Sequence, residues 1–111
     1  MANNQRYLLT LVVIFAAISL VFTGPTWAKV EGDTIIFGAA VSFTGKYSTN
    51  GKHTKNGYDL AVKRINEQGG IKVGGKNYKV AIKYYDDEST PARAGQLADR
   101  LIKQDGIKFI L

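Results

Sequence analysis

Three acidic side chains stand together at Asp86-Asp87-Glu88, the only such cluster in the chain. Adjacent carboxylates can pass protons in acid–base chemistry or ligate a hard cation. Acids just before Thr90-Pro91 can equally supply negative charge beside the positive N-terminus of a helix. No histidine or further acid lies near them in sequence, which favours the electrostatic role. Gly45-Lys46, after an apolar run, invites comparison with a phosphate-cradling loop. That motif needs Gly, four residues, then Gly-Lys-Ser/Thr. Here Ala40 takes the first glycine's place and Tyr47 replaces the magnesium-binding hydroxyl, so nucleotide binding is not expected. The single histidine, His53, sits among Lys52, Thr54 and Lys55 and reads as a solvated residue near a helix start. With no cysteine, the chain has no disulfides, thiolate zinc sites or thiol catalysis, and no lipid anchor on a cysteine. No catalytic constellation emerges, and neither a metal nor an organic cofactor is expected.

The remaining chemistry is recognition, and it depends on where the loop Ser42-Phe43-Thr44-Gly45 is held. Thr34 to Val41 is an almost continuous apolar run, the pattern of a central strand buried on both faces. After the turn signal Asn50-Gly51, Tyr58, Ala61, Val62 and Ile65 recur at helical spacing, and Gly69-Gly70 ends that helix. Ile71 to Lys76 reads as a hairpin arm and its turn. Tyr78 to Tyr85 alternates, with Tyr78, Val80, Ile82 and Tyr84 on one face and Lys79, Ala81 and Lys83 on the other. Charge of that kind suits a strand at a sheet edge. Thr90 is an expected N-cap with Pro91 at the first helical position, and Ala94, Leu97, Ala98, Leu101 and Ile102 carry a second helix. Asp105-Gly106 closes it, and Ile107 to Leu111 opens a third strand. The fold class is therefore α/β: a β-α-β-α-β series forming a parallel sheet of spatial order 2-1-3, with one helix on each face. Ligands bind such sheets at the switch point between strands one and three, and the loop after Val41 forms one wall of that crevice.

Residues 1–28 read as an export signal. Arg6 provides the positive start, and Leu8 to Phe22 is apolar except for Thr10 and Ser19. Gly24-Pro25 breaks any helix, and Thr26-Trp27-Ala28 predicts cleavage between Ala28 and Lys29. A retained membrane anchor is the rival reading, but a spanning helix needs about 20 apolar residues. The chain of 111 residues has a net charge of +6. Its lysines are scattered from Lys29 to Lys108 rather than gathered on one face, so nucleic acid is not an expected partner.

Several segments form an ordered series: Gly38-Ala39-Ala40, Ser42-Phe43-Thr44-Gly45, Asn56 to Val62, Ile65 to Ile71, Tyr85 to Pro91 and Leu101 to Leu111. The series resembles the start of an extracytoplasmic solute-binding protein of the branched-chain amino-acid class, the Leu/Ile/Val-binding-protein-like type. The resemblance implies a periplasmic receptor of an ABC importer, with a permease as partner and no enzymatic activity. It also implies two α/β lobes of the type I kind that close on an amino acid or related small solute. Residues 29–111 would then be the N-terminal part of the first lobe, an incomplete piece of it. In that family the amino-acid head group is held mainly by loops after the third and fourth strands. The residue before the loop's second glycine, Asn50 here, faces the ligand side chain. Members that bind branched aliphatic side chains carry an aromatic residue there, so Asn50 points to a different preference. Phe43, Tyr47 and Ser42 are further candidate ligand residues, while Asn50-Gly51 could also be a plain turn pair. The alternatives are a ligand-sensing receptor domain of the same fold, or a truncated fragment without function.

Overall fold

The computed structural model describes residues 29–111, so the expected leader lies outside the described residues. In chain order the elements are β1 (Val30–Glu31), β2 (Thr34–Val41), α1 (Ser48–Glu67), β3 (Ile71–Val73), β4 (Lys76–Asp86), α2 (Pro91–Lys103) and β5 (Phe109–Ile110). β2 pairs in parallel with β4 from Thr34↔Lys79 to Val41↔Asp86, and with β5 at Phe37↔Phe109 and Gly38↔Ile110. The spatial order β4-β2-β5 is the 2-1-3 arrangement expected from the strand characters. Two antiparallel additions extend it: β1 folds back on β2 through Glu31↔Thr34, and β3 pairs with β4 through Val73↔Lys76. The second is the hairpin anticipated at Ile71 to Lys76. The first was not anticipated, because two residues carry no periodicity.

Side chains on β2 alternate between two faces. Leu97 and Leu101 of α2 are buried on one face. A Cβ on Gly38 would stand 3.0 Å from a Leu101 methyl, so the absent side chain of Gly38 is the seat of that helix. α1 lies on the opposite face, over Phe37, Val80 and Ile82. There its flank of Tyr58, Val62 and Ile65 leaves an open apolar groove of about 190 Å³. The third strand is shorter than Ile107 to Leu111. Ile107 is fully buried and donates its N–H to the Leu101 carbonyl at 2.9 Å, so it belongs to the connection from α2. Pairing begins only at Phe109, whose ring lies 5.5 Å from that of Phe37.

Because α1 buries little apolar surface, close contacts at separate points along it fix its place. Near its C-terminus, the Asn66 amide donates to the Val80 carbonyl and accepts the Val80 N–H, both at 2.8 Å. That is the pair of bonds a neighbouring strand would make. Near its N-terminus the helix begins at Ser48, so Asn50-Gly51 lies in the first turn of α1 and is not a separate turn before it. The cause is steric: a Cβ on Gly51 would stand 1.8 Å from the Ser42 carbonyl oxygen. Glycine is present so that the helix can approach the end of β2, and that contact overrides its poor helix propensity.

Two glycines of α1 therefore respond oppositely to alanine. At Gly57 an added Cβ meets nothing within 4 Å, and Gly57→Ala is expected to stabilise by about 0.5–1 kcal/mol. Gly51→Ala is expected to destabilise by about 1–3 kcal/mol or more, since helix and loop must separate. Urea unfolding of the protein at its native length checks both; equal effects at the two positions would remove the packing argument.

Candidate functional site

The parallel register sets the C-terminal ends of β2 and β4 side by side, and the loops that follow interlock. Asp87 donates its N–H to the Val41 carbonyl at 3.2 Å. The Asp86 carboxylate accepts the N–H groups of Phe43 (2.9 Å), Thr44 (3.2 Å) and Glu88 (2.9 Å), and on its other oxygen the Thr44 hydroxyl at 2.8 Å. Asp87 Oδ1 accepts the Ser42 hydroxyl at 2.6 Å and the Ser89 N–H at 2.8 Å. Ser89 Oγ in turn donates to the Thr44 carbonyl and accepts the Tyr47 N–H. Glu88 and Ser89 both hold left-handed φ, 53° and 60°, which side-chain-bearing residues seldom adopt. Their N–H groups are the ones tied to the two carboxylates.

These contacts revise the expected role of the acidic cluster. Asp86 and Asp87 serve the loop after β2 and do not screen the N-terminus of α2, whose first turn contains no acid. The 42 or more residues separating these partners hid the arrangement from local sequence patterns. Thr90 does occupy the N-cap with Pro91 beginning α2, but its hydroxyl makes no capping bond and turns towards the Glu88 carbonyl. The hydrogen bond from the Glu88 N–H, aided by Thr44 and Phe43, holds the Asp86 carboxyl below the usual carboxylate range. Among the described residues no three metal-ligating side chains converge.

Beside the braced loop, between the ends of β2 and β5, lies a cleft of about 220 Å³. This is the switch point of the sheet. Ser42, Tyr47 and Asn50 line it, together with Thr54, Tyr58, Asp87 and, on the far side, Leu111. Phe43 is not part of the lining; its ring meets Tyr84 edge-on at 5.8 Å. Thr54, Tyr58 and Asp87 escaped the sequence reading. The first two follow Asn50 at steps of four, one face of a helix, a signal that exists only with Asn50 inside α1. Asp87 is buried, 9% exposed, and makes the only charged contribution to the lining.

Asp86 is bound as an anion in the fold, with its pKa lowered, so its contribution is present above the unfolded carboxylate value and lost as pH falls through the folded one. The amide protons of Phe43, Thr44 and Glu88 are expected to stay protected down to about pH 4, and to exchange freely only at lower pH. Hydrogen exchange followed by NMR across that range checks the sign, with Asp86→Asn expected to abolish the acid step.

Comparison with known proteins adds to this geometry. The chain is 31% identical over 99 residues to "Leu/Ile/Val-binding protein homolog 1" of Brucella abortus, covering 89% of this chain and 24% of that protein. It is 35% identical over 77 residues to "Leu/Ile/Val-binding protein homolog 3" of Brucella melitensis, covering 69% of this chain and 20% of that one. The chain thus spans about a quarter or less of the relatives it matches. Its fold superposes, with a TM-score of 0.61 and 28% identity, on the branched-chain amino acid transporter substrate-binding protein LivJ of Streptococcus pneumoniae. That crystal structure holds isoleucine, and the match covers 69% of this chain and 21% of LivJ. The sequence pattern of the periplasmic binding proteins matches residues 34–111, and with the α/β sheet and its switch-point cleft this establishes that the chain belongs to the periplasmic binding protein family.

Proposed function

We propose that residues 29–111 form the N-terminal part of the first lobe of an extracytoplasmic receptor. That receptor captures an amino acid or similar small polar solute and presents it to the permease of an ABC importer. The observation that carries this reading is the position and lining of the cleft: it opens at the sheet's switch point, where α/β sheets take ligands, beside the polar groups of Ser42, Asn50 and Thr54. The isoleucine held by LivJ and the names of the Brucella relatives support the solute class. In this reading Asn50, Tyr47 and Ser42 meet the distal end of the solute. Phe43 props the loop against Tyr84 from outside the cleft.

An amide both donates and accepts hydrogen bonds. Covering Asn50 with a bare hydrocarbon would leave polar atoms unpaired at about 1–3 kcal/mol, so a solute with a polar side group suits it better. Calorimetry of the protein at its native length against a panel of amino acids tests the reading, and failure to bind any of them would refute it. Asn50→Phe is expected to weaken polar solutes and relatively favour aliphatic ones by about tenfold. An unchanged order of affinities would return Asn50 to a purely structural place in α1.

We further propose that the leader is removed on export, on the strength of its charge, apolar run and small residues before Lys29. The exported protein is then expected to begin at Lys29 and to lack Trp27. N-terminal sequencing of the extracytoplasmic fraction checks this; Trp27 in that product would overturn it.

A further inference from the structure

We propose that Asp86 is the positioning residue of the cleft: without touching the solute, it fixes the loop from which the cleft's lining is hung. The inference rests on the solute-binding reading above and deepens it. Asp86 is absent from the cleft lining, yet its carboxylate gathers two backbone N–H groups and one hydroxyl from the loop after β2. Bonds to an ionised acceptor are shorter and stronger than neutral ones. The loop they hold runs from Ser42 to Tyr47, both of which face the cleft.

The same restraint reaches Asn50 through packing. Gly51 sits so close to the Ser42 carbonyl that even a methyl group cannot enter between them. A shift of Ser42 therefore shifts the first turn of α1 and the side chain of Asn50 with it. From the other side, Asp86 also takes the N–H of Glu88 in its left-handed conformation, which sets the turn that brings Asp87 to Ser42. Strained backbone held by such bonds is characteristic of sites where geometry must be kept. The Asp86 carboxylate thus lies behind four cleft residues, Ser42, Tyr47, Asn50 and Asp87, and holds the backbone on which the Asp87 and Ser89 contacts to them depend.

The test uses the protein at its native length, with the best-bound amino acid from the panel as probe. Asp86→Ala removes every acceptor and is expected to weaken binding about tenfold. Asp86→Asn keeps an oxygen for the three backbone N–H groups and is expected to stay within about threefold. Thr44→Val, at an exposed residue outside the cleft, removes one bond and is expected to cost about twofold to threefold. In the alanine variant, amide exchange at Phe43 and Thr44 should accelerate in step with the lost affinity. Folded Asp86→Ala that binds as the unaltered protein does would overturn the inference, as would Asp86→Asn binding as weakly as alanine. If the alanine variant does not fold, unchanged affinity in Thr44→Val overturns it instead. An unaltered protein that binds no amino acid removes the solute reading and this inference together, whereas the other outcomes touch the inference alone.

Discussion

The pairing of Val41 with Asp86 at the ends of two parallel strands is the constraint from which the rest of the site follows. Parallel neighbours bring their C-terminal loops to the same end of the sheet, and here the two loops differ in what they offer. One is rich in backbone N–H and hydroxyl donors, from Ser42 to Thr44; the other begins with two carboxylates. Each satisfies the other, and the buried side chains of the described residues leave no polar atom without a partner. A register slip of one residue would turn Asp86 to the opposite face and dissolve the arrangement. The strand pairing and the polar interlock are therefore one feature seen at two levels.

Much of the architecture was legible in the residues themselves. The apolar run from Thr34 to Val41, the alternation from Tyr78 to Tyr85 and the two helical periods each announced their element, and the contrast between the strands gave their order. What escaped has a common cause. Asn66 bonds Val80, Asp87 bonds Ser42 and Gly51 accommodates the Ser42 carbonyl across gaps that no local pattern records. Propensity was also misleading at Asn50-Gly51, where asparagine and glycine usually mark a turn and tertiary contact makes them helical. The cleft's location followed from topology alone. Its lining did not, because Thr54 and Tyr58 join Asn50 only once that residue is part of the helix.

The two helices are held by different physics. α2 is seated by Leu97 and Leu101 in the buried layer over Gly38. α1 is held instead at separate points along its length. Gly51 meets the Ser42 carbonyl, Asp59 accepts the Tyr84 hydroxyl at 2.8 Å, and Asn66 bridges both backbone groups of Val80. Burial pushes the Tyr84 hydroxyl pKa up, and its hydrogen bond to Asp59 pushes it further, so this middle tether persists well into alkaline solution. Hydrogen bonds and close backbone contact are directional where apolar packing is not. The helix that carries Asn50 is the one located by directional forces.

The bonds of Asn66 to Val80 also end a ladder. On the outer side of β4, the Val80 N–H and carbonyl that would pair with the next residue of a neighbouring strand are already occupied by a side chain. The hairpin strand β3, which pairs with β4 up to Ile71↔Tyr78, therefore goes no further along that edge. One side chain thus ends the hairpin's ladder and seats the C-terminal end of α1.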